Sequence, residues 1–205
     1  MNSETDPAGT IDRWHSRITP DRLLGAYAWG EHFGVSDEVI VIRQATLDDA
    51  AEIGDAHASA WEIAYVELFE PDVLRRAAAR RRTMWRWILA SDHFDFSSLL
   101  VAEQGGRIVG YSQFGQNAEE KSRGEIYGLY LHPIAWGQGS ATQLMASSLS
   151  ALDHRGLSPV VVWTHPGALR AQAFYVKSGF TATGRSRTST LGDGIDAPEV
   201  EFARG

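Results

Sequence analysis

The chain has 205 residues, 43% of them hydrophobic, and can therefore bury one substantial core. It contains no cysteine, which excludes disulfides, thiolate metal sites and cysteine nucleophiles; no other pattern predicts a metal site. The net charge of −7 disfavours nucleic acid as a partner and is compatible with a cationic small substrate. No apolar run reaches the roughly 20 residues that span a membrane, and no signal peptide is evident. We expect a cytoplasmic protein with no membrane partner.

The first 37 residues differ from the rest of the chain. Their first ten are polar, and Thr19-Pro20 has the N-cap residue and the N1 proline that begin a short helix. We therefore predict an N-terminal extension over residues 1–37 and one domain over residues 38–205. The extension is a candidate element for binding a partner or for forming a homodimer.

Two helices are predicted after a first strand, "VIVIRQ", at residues 39–44. Thr46, followed by acidic residues, is typical of a helix N-terminus, and Pro71 is typical of the first turn of a second helix that runs to residue 90. The first helix has an apolar stripe at helical spacing. Its members are Ile53, His57, Trp61, Ala64 and Tyr65.

Six further strands and two further helices follow. Two apolar runs on either side of Gly105-Gly106 predict a hairpin within residues 97–115. A glycine inside the next strand, Gly128, predicts a bulge. Later strands are predicted at residues 125–131, 159–164, 180–187 and 199–204, helices after Gly139 and at 167–179, and a loop at 188–198. The predicted order is β-α-α-β-β-β-α-β-α-β-β, an α/β class with a mixed sheet.

The turn that joins the strand at 125–131 to the next helix carries two glycines, Gly137 and Gly139. Glycine begins a helix poorly unless something must approach the backbone closely. The first N–H groups of a helix have no internal partner, and the helix dipole favours an anion there. The turn therefore predicts a phosphate site, for which a plain strand-to-helix turn is the alternative. No Gly-Lys-Ser/Thr follows, so a P-loop is excluded.

The segment "EIYGLYLHPIAWGQGSATQLM" resembles the acyl-CoA-binding segment of the GNAT superfamily of N-acetyltransferases, whose signature is Arg/Gln-x-x-Gly-x-Gly/Ala. The signature corresponds here to Trp136, Gly139 and Ala141. A second segment, "ALRAQAFYVKSGF", is similar to the family helix N-x-x-A-x-x-F-Y-x-x-x-G-F. Two positions depart from the family: Trp136 replaces Arg or Gln, and Ala168 replaces Asn. The first departure predicts an anion held by backbone N–H groups without a flanking guanidinium.

The resemblance implies the GNAT acyl-CoA N-acyltransferase fold, with its central mixed sheet splayed at strands 4 and 5, and acetyl-CoA as the cosubstrate. Its diphosphate would bind the turn and its pantetheine arm would pair with the strand before it. The residues implied in cofactor binding are Leu129, Tyr130, Leu131, Trp136, Gly137, Gln138, Gly139, Ser140, Ala141 and Thr142.

Two residues are implied in catalysis. Tyr175 is placed in the family to protonate the departing thiolate, and Glu125 to accept a proton from the amine. A core tyrosine and a solvent-exposed strand carboxylate are the structural alternatives. His132 and His165 are weaker candidates for the base, the first being more typical of a turn.

The acceptor pocket is expected from the helical segment at residues 46–90, with Trp61 and Tyr65 as candidate substrate contacts, although such a stripe is more often core. The predicted function is transfer of the acetyl group from acetyl-CoA to a primary amine of a small molecule by direct attack in a ternary complex, since no cysteine can carry an acyl group. The alternatives are a non-catalytic acyl-CoA-binding or sensing module, or a transferase for a longer acyl chain.

Overall fold

A computed structural model of the chain describes residues 39–91, 97–190 and 196–205. The predicted N-terminal extension, residues 1–37, lies outside the described residues. The strands are β1 Ile40–Gln44, β2 Ser97–Gln104, β3 Arg107–Gln116, β4 Gly124–Leu131, β5 Val160–Thr164, β6 Thr181–Thr190 and β7 Asp196–Arg204. The helices are α1 Ala50–Ala64, α2 Pro71–Ala90, α3 Ser140–His154 and α4 Leu169–Lys177. This order confirms the one predicted.

One mixed sheet organises the described residues, with the strand order β1-β2-β3-β4-β5-β7-β6. All neighbours are antiparallel except β4 and β5, which are parallel. Helices α1 and α2 pack on one face, where Ile53 and Trp85 contact β2 and β3. Helices α3 and α4 pack on the other face, where Met145 and Tyr175 contact β4 and β7. In the described ranges, no helix has the length and apolarity to cross a membrane.

The start of α1 is fixed to β1 by a charged network. Arg43 donates from Nη1 and Nη2 to the two carboxylate oxygens of Asp49 at 2.8 and 2.9 Å. Asp49 also accepts from the backbone N–H of Thr46 at 2.7 Å, which forms a capping box around a single 3₁₀ turn. The Arg43 guanidinium therefore lowers the pKa of Asp49. The helix start predicted at Thr46 is displaced to Ala50 because this turn comes first.

Helices α1 and α2 approach each other closely at Gly54. A Cβ on this glycine would lie 2.3 Å from the carbonyl oxygen of Arg82 on α2, closer than any real side chain is found. Around this contact Ile53 and Trp61 are fully buried, as the predicted stripe requires, and so is Trp85 of α2. The stripe ends earlier than predicted, because Ala64 is exposed at the last residue of α1.

Strands β4 and β5 pair only at their beginnings, which confirms the predicted splay. Gly124, Glu125 and Ile126 pair with residues 160–162 of β5, and in the described ranges no strand pairs with residues 127–131 of β4 on that side. On its other side, β4 shifts register against β3 because Tyr127 is an extra residue between Ile126 and Gly128. The predicted bulge is therefore present, with Tyr127 as its unpaired residue.

The prediction of a loop at residues 188–198 is wrong at both ends. Thr188 pairs with Pro198, and Thr190 pairs with Asp196, so β6 and β7 continue as a two-stranded ribbon past the end of β5. The last pair of β5 with β7 is Thr164 with Val200. Pro198 lies beyond it, and a ribbon tolerates a proline on its open side. The polar composition that suggested a loop instead reflects a ribbon that is exposed to solvent.

Candidate active site

The turn from β4 to α3 forms an open cradle of backbone N–H groups. Gly137 and Gly139 have φ of 81° and 95°, a conformation that side chains other than glycine rarely adopt. A Cβ on either glycine would meet no protein atom within 4 Å, so the space over the turn is open. The first hydrogen bond of α3 runs from the N–H of Gln143 to the carbonyl of Gly139, which leaves the N–H groups of the preceding turn without helical acceptors. This geometry fits a phosphate group.

The predicted cradle residues divide between surface and interior. Ala141 is half-buried, and Thr142 is exposed at the cradle. Ser140 is completely buried, and within the described part of the chain its Oγ has no hydrogen-bond partner. The side chain of Gln138 is engaged elsewhere, because it donates to the carbonyl of Ile134 at 2.7 Å and accepts from Gln104 at 2.8 Å. Backbone groups, rather than these side chains, therefore form the surface of the cradle.

Trp136, which precedes the cradle, is held in a fixed orientation. Its Nε1–H donates to the carbonyl of Leu131 at 2.9 Å. The guanidinium carbon of Arg170, in the first turn of α4, lies 4.0 Å from the centroid of the Trp136 ring. The turn expected to lack a flanking guanidinium therefore has one nearby, supplied by a different helix.

The splay exposes a backbone edge along the second half of β4. Leu129, Tyr130 and Leu131 pair with β3 on one side, and no described strand pairs with them on the other. An open strand edge can accept an extended molecule as an added strand. The three residues predicted to pair with the pantetheine arm thus lie along one slot that leads to the cradle.

Glu125 is buried where β4 and β5 begin to separate, with 6% of its surface exposed. Asn117 donates from Nδ2 to its Oε2 at 2.8 Å, and Nη2 of Arg187 lies 3.9 Å from its Oε1. Burial raises the pKa of this carboxyl above its ordinary value, against the opposing effects of Arg187 and Asn117. It lines a small cavity of about 40 Å³. The solvent-exposed alternative for Glu125 is wrong, and the raised pKa makes it a stronger proton acceptor than an ordinary carboxylate.

Tyr175 projects from α4 into the core beside the splay. Its ring packs near Phe180 and Phe202, and burial raises its pKa, with smaller contributions from Tyr130 and Glu199. The phenol therefore remains protonated at neutral pH and can serve as a proton donor. Tyr130 and Glu199, which contribute to this raised pKa, link Tyr175 electrostatically to the face of the sheet that carries α1 and α2.

On that face lies a cavity of about 390 Å³, the size of a small-molecule site. His57 and Trp85 line it from the helices, and Gly128 and Tyr130 line it from β4. The ribbon of β6 and β7 closes the far side with Ser189, Thr190 and Glu199. The wall formed by α2 includes Arg80 and Arg81. Aromatic rings and charged groups of both signs therefore surround this space.

The two predicted substrate residues occupy different environments. Trp61 is 1% exposed and does not line this cavity; Arg81 covers its ring, with the guanidinium carbon 3.5 Å from the centroid. Tyr65 is half-buried, lies 4.3 Å from Trp61 by ring centroids, and packs against the same cluster as Tyr130. Tyr65 thus reaches the cavity only through Tyr130, whereas Trp61 packs in the core.

Glu199 was missed by sequence reasoning and is central to the site. It accepts from Nε of Arg187 at 2.7 Å and lines the large cavity. Burial raises the pKa of Tyr175, and the charge of Glu199 adds a smaller increase; burial lowers the pKa of His165, and the charge of Glu199 opposes that effect. A signal was available, since "EVEFAR" alternates Glu199 and Glu201 with apolar residues, which places both carboxylates on one face of a strand. Carboxylates on the inner face of a strand are uncommon and point to a functional or paired site.

The two histidines considered as bases have other partners. Nδ1 of His132 accepts from the N–H of Ile134 at 3.3 Å within the turn after β4, which agrees with the structural role expected for it. Nδ1 of His165 accepts from the N–H of Gly167 at 2.9 Å, and burial lowers its pKa. Because the Nδ1 lone pair of each ring is occupied, neither ring can take up a proton there without giving up its hydrogen bond to the turn.

Comparisons with known proteins agree with this geometry. Residues 58–180 match the model of the acetyltransferase (GNAT) family. The uncharacterized N-acetyltransferase YuaI of Bacillus subtilis is 25% identical over 142 residues, which are 66% of this chain and 79% of that protein. The protein named Probable N-acetyltransferase Rv2775 of Mycobacterium tuberculosis is 23% identical over 163 residues, 80% of this chain and 92% of that protein.

Solved structures share the fold. The PaiA N-acetyltransferase of Thermoplasma acidophilum, crystallised in complex with coenzyme A, superposes with a TM-score of 0.64 at 17% identity. The alignment covers 80% of this chain and 98% of that one. At this identity the likeness concerns the fold alone.

Proposed function

Since this chain belongs to the acetyltransferase (GNAT) family and is an acetyl-CoA-dependent acyltransferase, we propose that its acceptor is a primary amine of a small molecule, acetylated by direct attack in a ternary complex. The observation that carries the proposal is the cavity of about 390 Å³ that shares β4 with the open slot. Gly128 and Tyr130 line the cavity, while the backbone from Leu129 onward borders the slot. A cosubstrate in the slot and an acceptor in the cavity would meet at this strand.

Acetyl-CoA would supply the acetyl thioester, with its diphosphate on the N–H groups around Gly139 and its pantetheine arm along Leu129, Tyr130 and Leu131. The open space over the cradle and the positive φ of both glycines support this assignment. Since the sequence has no cysteine, the acyl group has no thiol on which to rest between two half-reactions, which favours direct transfer.

In this proposal Glu125, which lines the small cavity rather than the large one, accepts through water the proton that the amine must lose. A primary amine with a pKa near 10 costs about 4 kcal/mol to hold neutral at pH 7, so a positioned base is useful. Burial raises the pKa of Glu125, which brings its basicity closer to that task. Glu199, which lines the cavity, would attract the ammonium form, and aromatic rings such as Tyr130 add favourable contact with a cation.

Tyr175 donates a proton to the departing thiolate. Its raised pKa keeps the phenol protonated through the pH range in which a thiolate leaves, and its position between the core and Tyr130 supports a role beside the slot. Once the proton has moved, the tyrosinate takes up a proton from solvent, because burial disfavours its charged form.

A thiol-release screen tests the proposal. Purified full-length protein is incubated with acetyl-CoA and a panel of amines, and free thiol is measured with a chromogenic disulfide. The panel includes diamines, amino sugars and amino acids, because the cavity has carboxylate and guanidinium groups on different walls. We expect release with at least one class of primary amine and its N-acetyl product by mass spectrometry.

Parallel assays with propionyl-CoA and butyryl-CoA test the longer-chain alternative. Faster turnover with either would contradict the acetyl assignment. Tight binding of acetyl-CoA without release by any amine would contradict the small-molecule acceptor and favour a non-catalytic module or a macromolecular acceptor.

A further inference from the structure

Arg170 compensates for the departure at the first position of the phosphate-binding signature. Trp136 occupies the first position of the signature that the turn resembles, where the signature has Arg or Gln, and no Lys or Arg lies between Trp136 and Thr142. The guanidinium of Arg170 nevertheless lies 4.0 Å above the indole ring of Trp136. The positive charge that the signature segment lacks is thus supplied by Arg170, a residue of α4.

The indole is a fixed platform for this guanidinium. The bond from its Nε1–H to the carbonyl of Leu131, at 2.9 Å, anchors the ring to the last residue of β4. Trp136 is directly followed by Gly137, so the ring that holds the guanidinium belongs to the residue before the open cradle. Stacking occupies the face of a guanidinium and leaves the N–H groups on its edge available.

Helix stability does not explain an arginine at this position. Arg170 is the second residue of α4, where the helix dipole disfavours a cation, and the N-cap, Ala168, offers no side-chain hydrogen bond. Its side chain is exposed, and within the described part of the chain no carboxylate pairs with it, although the protein is acidic overall. The helix dipole disfavours a cation at this position, yet Arg170 is held there against an aromatic ring. Its positive charge is therefore available to an anion from outside the chain.

We propose that Arg170, held by Trp136, binds the diphosphate of acetyl-CoA at the cradle. The inference rests on the cradle assigned under the proposed function and adds a cationic side chain to it. Trp136 then acts as a positioning residue for the guanidinium, which explains how an aromatic residue serves at a position normally occupied by a polar one.

Calorimetric titration of the full-length protein with coenzyme A tests this role without any acceptor. We expect Arg170→Ala to raise the Kd about tenfold, the range for one charge-assisted hydrogen bond at a partly exposed site. Arg170→Lys keeps the charge but loses the planar stack, and is expected to fall between wild type and Arg170→Ala. Lys177→Ala removes an exposed cation from the last turn of the same helix and serves as the control, with a change below about twofold.

The same titration with 3′-dephospho-coenzyme A identifies the phosphate. An equal loss for both ligands in Arg170→Ala is the result expected for a diphosphate contact, and a loss confined to coenzyme A would overturn it in favour of the 3′-phosphate. Trp136→Leu should weaken binding to a similar extent as Arg170→Ala, and the double variant should add little, because one depends on the other. Additive losses would contradict the platform.

Ala141→Glu separates failure of this inference from failure of the proposed function. If Ala141→Glu abolishes binding while Arg170→Ala leaves it unchanged, the cradle stands and the role of Arg170 is wrong. If neither variant affects the Kd, the cradle itself is wrong. The slope of log Kd against log salt gives an independent measure, since loss of a phosphate-binding cation should make it shallower.

Discussion

Replacing Glu125 with glutamine should reduce turnover at neutral pH while leaving the fold intact. Glutamine keeps the size of the side chain, and its Oε1 can still accept the bond that Asn117 donates at 2.8 Å. Arg187 keeps its pair with Glu199 at 2.7 Å, and its own distance to Glu125 is 3.9 Å, so no close ion pair is broken. The change therefore removes basicity and little else.

The size of the effect depends on the pKa of the amine and on the rate contribution of a general base. Holding an amine with a pKa near 10 neutral at pH 7 costs about 4 kcal/mol, and a positioned general base typically contributes about 10²–10⁴ in rate. We expect kcat/KM of Glu125→Gln to fall within that range at pH 7. The deficit should shrink as pH approaches the pKa of the amine, where the free base is abundant. Since burial raises the pKa of Glu125, the acidic limb of the wild-type profile should lie above the ordinary carboxyl range and vanish in the variant.

The assay is the pH profile of kcat/KM for both proteins on one amine. Glu119→Gln is the matched control, because Glu119 lines the same small cavity but is 75% exposed. Burial penalises the charged form of Glu125, so the neutral glutamine should leave Tm at pH 7 unchanged or higher. Superimposable profiles, or a loss that is independent of pH, would refute the role of Glu125 as the base.

Three further predictions concern the acid, the cradle and the packing. Tyr175→Phe should lower kcat by roughly 10²–10⁴ with little change in the Kd for acetyl-CoA, and full activity by steady-state kinetics would reduce Tyr175 to a packing residue. Ala141→Glu should abolish acetyl-CoA binding in calorimetry with an unchanged far-UV spectrum, because a carboxylate would occupy and repel the diphosphate site. Gly54→Ala should destabilise the protein by about 1–3 kcal/mol in urea unfolding, since its Cβ would lie 2.3 Å from the carbonyl of Arg82; a gain in stability from helix propensity would contradict that close packing.

Short-range patterns in the sequence predicted most of the fold. The two glycines of the hairpin turn have φ of 58° and 73°, the conformation that the pair Gly105-Gly106 predicted. The splay of β4 and β5 came from the family resemblance together with the glycine inside β4, and both are confirmed by the register. The prediction of a loop at residues 188–198 was wrong because strand pairing, which is not local, overrode a composition that is typical of loops.

The candidate site was predictable only in part. The cradle depends on backbone conformation within a few residues, which glycine positions reveal, so Gly137 and Gly139 could be assigned from their spacing. The large cavity depends on side chains from α1, α2, β4 and the ribbon, which come together only when the sheet is assembled. Helical spacing placed Trp61 on the inner face of α1 but could not show that Arg81 would cover it.

The sequence by itself determined the family, the order of elements and the glycine turn before α3, because each depends on residues that are close in the chain. Only the tertiary structure decided the electrostatics of the site. Glu199 comes within reach of Tyr175 through the pairing of β7 with β5, and Arg170 meets Trp136 through the packing of α4 beside the cradle. Such long-range contacts depend on how distant segments pack, and neither residue type nor spacing encodes which charge will face which ring.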